Sequence, residues 1–476
     1  MNPFSVFPLA VAAGGGRVGA FEVQQLVAAG LTLLQRSAPL VRALAGRRAA
    51  ILLPTSHQFY VALAACEGRG AVLVNPLAAP VEIAHQLRDA DVGAVFTVSA
   101  LAGRLPDGVP VVLLDDAPRA ARVLVDGVAR EVDLGTHFGL DLEAESDVPG
   151  SDEEAAIVYT SALAGTARGA ILTHRNILTN ARSTVVAAEI TADDHALAVL
   201  PFSHLFGLVV SGTVPLLAGG RVTPMERFHP GKAIEALEAG GITQFVAVPA
   251  VFATMVAMLQ RRGARLASDR LRLCICGGAV LPVAVQDAWA ELTGVELRQG
   301  YGLTEAGPVC LFNRVQLPNR RGTLGVPFPD VAVEIHDPAT GAALPAGMPG
   351  EICVRGANVF RGYVGGATDA LAVRDGWLHT GDRGVLNLDG TVGFLGLIKP
   401  MFTRNGFNIY PREIERVVGA MPGVTRVAVR AVPDAAKEND IALDVAGAVD
   451  AADVKAWCEA RLSAYKQPSD VTILPA

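Results

Sequence analysis

Apolar residues fall into two rhythms along this chain. Short runs such as AAILLP, AVLVNP and AVFTV are continuous and bounded by Pro, Asn or Gly. Between them lie longer Ala- and Leu-rich stretches, SHQFYVALAACEGRG and PVEIAHQLRDADVG. Short continuous runs predict strands buried on both faces, and the longer stretches predict covering helices. Strand, helix, strand, helix, strand implies a parallel sheet. The pattern recurs at HALAVLPFSH, at ITQFVAVPA followed by VFATMVAMLQRRG, and at LRLCICGGA followed by PVAVQDAWAELTG. An α/β fold with two α/β subdomains is expected.

From about Val331 the texture changes. VAVEIHDPATGAALPAGMPGEICVRG alternates strands and turns with no long helix, which predicts a small β-rich subdomain over about 331–396. IYPREIERVVGAM, RVAVRAVPD and ADVKAWCEARLSAY then read as helix, strand and helix. They predict a small α+β domain at 397–476 after an N-terminal body at 1–396, with LIKPMFTRNG as the joint.

Composition narrows the partners. A chain of 476 residues exceeds one core. With 51% apolar and 18% charged residues it is globular rather than disordered. A net charge of −7 gives no general pull toward nucleic acid. The six cysteines show no C-x-x-C spacing, so reduced, buried thiols and a cytoplasmic setting are expected. The N-terminal apolar run follows no basic residue and reads as mature sequence. The longest apolar run, GLVVSGTVPLLAGG, is broken by Gly and Pro, so no membrane span is expected.

Several stretches offer chemistry. Gly14, Gly16 and Gly19 match G-x-G-x-x-G, but no acidic residue follows at the distance a dinucleotide site requires, so a flexible turn is the better reading. YTSALAGTARGAILTHRN lacks Gly-Lys-Ser/Thr, which excludes a P-loop NTPase. Its Thr160, Ser161, Gly165 and Gly169 suit either a backbone anion nest or a surface turn before a helix. In RQGYGLTEAGPV, Tyr301 offers a stacking face, Thr304 a hydroxyl for a phosphate oxygen, and Glu305 a hard oxygen for Mg²⁺. The plainer alternative there is a Thr-capped turn with a solvated Glu. Asp382 in GWLHTGDRG is either a ribose acceptor on a loop or part of a common turn. His204, at the end of an apolar strand, is either packed and hydrogen-bonded or catalytic.

Taken together and in order, these stretches resemble the adenylate-forming superfamily of acyl-CoA synthetases, aryl-CoA ligases, luciferases and peptide-synthetase adenylation domains. The likeness covers nearly the whole chain. It runs from ILLPTSHQFYVALAACEGRGAVLVNPLAAPVEIAHQL through LPFSHLFGL, GGAVLP, GYGLTE, GEICVRGANVFRGY and GWLHTGD to NGFNIYPREIE. The resemblance implies that Tyr301 stacks on adenine and that Gly277, Gly278 and Ala279 line the adenine and acyl cleft. It implies that Thr304 meets the α-phosphate, Glu305 holds Mg²⁺, Asp382 binds the ribose and His204 sits beside the carboxylate. Ser161, Gly165 and Arg168 would lie at the outer phosphates of ATP.

In the implied reaction a carboxylate attacks the α-phosphate of ATP to give acyl-AMP and pyrophosphate. A thiol, from coenzyme A or a carrier protein's phosphopantetheine, then displaces AMP while the small C-terminal domain rotates. SHLFGL and GGAVLP resemble fatty-acyl members, and no acid stands near to bind an α-amino group. A medium or long fatty acid is the expected substrate, with an aryl acid second. No nucleic-acid partner is expected, and a homodimer is left open.

The chain departs from the family where the chemistry is most demanding. Ala162 takes a glycine's place, Leu163 and Ala164 replace two hydroxyl residues, and Arg168 replaces a lysine. Leu397 stands where the family has a nucleotide-contacting arginine, and Pro400 at the hinge. Lys466 is the ordinary lysine of the YKxP block, not the family's catalytic C-terminal one. These departures motivate a second reading: an impaired homologue that binds AMP, acyl-AMP or an acyl thioester as a scaffold or acyl-transfer component.

Overall fold

The computed structural model describes residues 7–66, 70–135, 151–160, 167–366, 373–398, 401–434 and 437–474. Two nine-stranded sheets form the body. In the first, Glu154–Thr160, Ala71–Leu73, Arg48–Leu52, Val92–Thr97 and Val111–Leu113 run parallel as neighbours. The intervening stretches form the helices Gln58–Ala65 and Pro80–Asp89. Proline opens the second helix, where its missing N–H is no loss, and Glu82 accepts a hydrogen bond from the Ala79 N–H at 2.7 Å.

The second sheet has a parallel centre in the order Leu297–Tyr301, Leu273–Cys276, Gln244–Ala247, His195–Ala198 and Arg221–Pro224. The helices Pro249–Arg262 and Val283–Thr293 cover it, and Phe252 meets Trp289 edge-on at 4.8 Å. One apolar core runs through both sheets, from Ile51 and Phe96 to Phe245 and Trp289. The continuous apolar runs are thus strands buried on both faces, as the pattern predicts.

A five-stranded sheet spans Val331–His336, Pro349–Gly356, Trp377–Leu386, Val373–Arg374 and Val392–Leu397. Beyond it the small C-terminal domain has its own core. Ile414 and Val418, four apart on the helix Pro411–Gly419, pack against Ile441 and Leu443. All six cysteines are buried thiols outside any disulfide. Among the described residues no helix is long and apolar enough to cross a membrane.

Three local expectations change. Gly169 lies not in a turn but in the strand Arg168–Thr173, which pairs antiparallel with Glu154–Thr160. Gly14 and Gly16 belong to a close backbone approach: a Cβ on either would stand 2.0 or 2.4 Å from a carbonyl oxygen of Leu216 or Gly220. Asp382 lies inside the strand Trp377–Leu386 rather than on a loop.

Candidate active site

Open parallel sheets place ligands beyond the carboxyl ends of their strands. Here Leu273–Cys276 ends in Gly277, Gly278 and Ala279, and the neighbouring Leu297–Tyr301 ends at Tyr301. These residues line a cavity of about 1070 Å³ together with Thr160, His204, Thr304 and Asp382. Gly278 needs its left-handed φ of +84°. Gly302 permits the next turn, because a Cβ there would lie 1.9 Å from the Pro308 carbonyl oxygen.

The polar groups converge on two points. Tyr301 Oη donates to Asp382 Oδ2 at 2.6 Å, which joins the second sheet to the five-stranded one. Burial, with the Asp382 charge behind it, pushes the Tyr301 phenol well above its ordinary range, so it stays a donor. The second point is Glu305, in the short 3₁₀ turn Thr304–Ala306. Its Oε1 accepts from Thr160 Oγ1 at 3.2 Å and from Tyr363 Oη at 2.8 Å. Phe360 N–H also bonds the Glu305 carbonyl at 2.9 Å, so the turn is anchored at backbone and side chain.

His204 follows the strand His195–Ala198 by several residues and leads into the wide helical turn Phe206–Thr213. Burial lowers its imidazole to about 4, so the ring facing the cavity is neutral near pH 7. Arg168 sits across the ladder from Thr160 but does not line the cavity. Ser161 and Gly165, with Ala162, Leu163 and Ala164, lie outside the described residues, as does Pro400.

The small domain closes one side. Phe407 stands 5.4 Å from the His204 ring and stacks on Tyr465 at 4.3 Å. Gly406 presses on Val248, where a Cβ would come within 2.7 Å of a methyl group. Lys466 lies beneath this contact. Its Nζ is 2.8 Å from Glu82 of the body and 2.6 Å from Glu413 of the small domain. Sequence reasoning missed Tyr363, Thr160 as a Glu305 partner, Phe407, and the bridging place of Lys466. All four depend on contacts between distant segments that carry no local signal.

Two sheets, a small C-terminal domain and a cavity at their strand ends define an adenylate-forming ligase of acyl-CoA synthetase type. The model for the AMP-binding enzyme family matches residues 40–364, so the chain belongs to that family. It is 33% identical over 436 residues to feruloyl-CoA synthase of an Amycolatopsis species, covering 90% of this chain and 84% of that one. It is 30% identical over 460 residues to a long-chain-fatty-acid–CoA ligase of Escherichia coli O157:H7, covering 89% and 81%. Among solved structures, a malonyl-CoA ligase bound to methylmalonyl-CoA and AMP superposes with a TM-score of 0.79 at 27% identity, covering 98% of this chain and 97% of that one.

Proposed function

We propose that this chain activates an apolar carboxylic acid as its acyl-adenylate and passes the acyl group to the thiol of coenzyme A. The observation that carries this reading is the pairing of Tyr301 with Asp382 in the wall of a cavity large enough for a nucleotide and an acyl chain together. In this reading Tyr301 offers its ring to adenine, and Asp382 accepts from the ribose hydroxyls at charge-assisted strength. Thr304 binds the α-phosphate. Gly277, Gly278 and Ala279 let the substrate approach the backbone.

Glu305 fits a magnesium ligand. The carboxylate's two hydrogen bonds among the described residues fall on Oε1, so Thr160 and Tyr363 fix the carboxylate and leave Oε2 clear of them. A magnesium ion bound there would neutralise charge on the ATP phosphates. The residues' own work is mainly alignment: the acid's oxygen must meet phosphorus in line, with water excluded. Neutral His204 sits beside the acid without pairing with it as a cation, which leaves the carboxylate nucleophilic.

Val210, Val251, Leu281, Val309 and Phe328 supply apolar walls. They support a medium or long fatty acid first and an aryl acid second. ATP–pyrophosphate exchange across a panel of acids tests the proposal. Exchange with medium or long fatty acids is expected, and no exchange with any acid overturns it. Leu397 at the cavity wall, in place of an arginine, keeps the impaired homologue as the second reading. That reading predicts AMP binding without exchange.

A further inference from the structure

Three strands of the five-stranded sheet bring metal-binding side chains together away from the cavity. Val331–His336 pairs with Pro349–Gly356, which pairs with Trp377–Leu386. The register sets Glu334 opposite Cys353, Cys353 opposite His379, and His336 opposite Glu351. Opposed residues share a sheet face, as do residues two apart on one strand, so all five project from the same face. Four of them are withdrawn from water, Cys353 at 0% exposed, His336 at 5%, and His379 and Glu351 at 9% each, while the Glu334 side chain is 44% exposed.

One ligand atom from each of His336, Cys353 and His379 lies within 4.8 Å of the other two. Cys353 Sγ is 3.5 Å from His379 Nδ1, and Glu351 Oε2 is 2.8 Å from that same nitrogen. His336 Nε2 is 3.0 Å from Glu334 Oε2, so a neutral ring carries its proton there and keeps its lone pair on Nδ1. That Nδ1 is buried and finds no hydrogen-bond partner among the described residues. An acceptor left in this state is unfavourable, and an apolar side chain would avoid the penalty. A carboxylate behind a histidine whose other nitrogen is bare is the arrangement that orients metal ligands.

We propose that His336, Cys353 and His379 form a binding site for a divalent cation of the zinc class, with Glu334 holding His336 in its ligating tautomer. Two imidazoles and a thiolate are borderline-soft donors, which favour zinc over magnesium or calcium. The thiolate and the two nearby carboxylates balance the ion's charge. On binding, Cys353 gives up its thiol proton to solvent, and His379 carries its remaining proton on Nε2. Because binding releases the thiol proton, it weakens as pH falls. A bound ion ties three strands together, and one of them carries Asp382 three residues beyond His379.

Titration of the chelator-treated full chain with Co²⁺, the spectroscopic stand-in for zinc, tests the site. One Co²⁺ per chain is expected, with a thiolate-to-metal absorption band that added Zn²⁺ removes. Cys353→Ser should abolish the band, and His336→Gln should weaken binding at least tenfold. Glu334→Gln, which leaves all three ligands in place, should weaken it by about 10–100-fold. Zinc-edge X-ray absorption on the unaltered chain needs no variant and should show one sulfur with two imidazoles. Absence of saturable Co²⁺ binding, a band that persists in folded Cys353→Ser, or a zinc shell without sulfur would each overturn the proposal.

Discussion

Tyr301 Oη and Asp382 Oδ2 are joined by a 2.6 Å hydrogen bond between the end of a body strand and the middle of a strand in the five-stranded sheet. This contact sets the distance between a ring face and a carboxylate. Hydrogen bonds to charged groups contribute about 1.5–3 kcal/mol, or roughly 10–150-fold in affinity. Asp382→Ala should weaken AMP binding by that factor in calorimetry. Tyr301→Phe keeps the ring and should weaken it less. Equal, unchanged affinity in both variants would place the nucleotide elsewhere.

Lys466 is held between Glu82 and Glu413 with almost no exposure. Burial opposes its charge, but Tyr465, Glu413 and Glu82 outweigh that and raise its pKa. A raised lysine contributes its stability below the unfolded value and loses it only as pH rises through the folded one, so the bridge persists at neutral pH. Lys466→Met leaves two carboxylates facing each other, and removing one member of a buried pair typically costs about 3–5 kcal/mol. Limited proteolysis should then cut faster near the joint at 397–406. Adding Glu82→Gln and Glu413→Gln should restore much of the resistance.

His204 titrates with the opposite sign. A depressed histidine contributes stability that is complete above its ordinary value of 6.5 and is lost as pH falls through about 4. Urea unfolding should therefore show a smaller loss of stability over that window in His204→Gln than in the unaltered chain. Identical slopes would mean that the ring is not held neutral.

The stretch at 160–169, expected from the sequence to meet the outer phosphates of ATP, gives a gain-of-function test. Leu163→Ser with Ala164→Thr returns the two hydroxyls that the family carries there. One preorganised contact to developing charge is worth on the order of 10²–10³ in rate. Pyrophosphate exchange should rise at least tenfold in the double variant. No change would mean that the loop does not limit adenylation.

Much of this fold was legible because parallel strands buried on both faces announce themselves as apolar runs. AAILLP and LRLCICGGA needed no tertiary information. The Arg168–Thr173 strand was hidden because the small residues preceding it in the sequence read as a turn, whereas it pairs antiparallel with Glu154–Thr160. Asp382 was misplaced for a similar reason: TGD reads as a common turn, whereas here it lies in a strand where Gly384 lets Ile352 pack closely. The candidate residues His204, Gly277, Tyr301, Thr304 and Asp382 were found from ordered blocks, and they line one cavity. Tyr363 on Glu305 and Lys466 on Glu82 could not be found this way. Register and domain docking create those contacts, and neither is written in local spacing.

The central claim is that this site makes an acyl-adenylate and transfers its acyl group to a thiol, releasing AMP. Its most direct test is mass spectrometry of the products formed from ATP, Mg²⁺, coenzyme A and a panel of fatty and aryl acids. The account predicts acyl-CoA and AMP in equal amounts from a medium or long fatty acid, both reduced in Asp382→Ala. Absence of acyl-adenylate and acyl-CoA with every acid would contradict it.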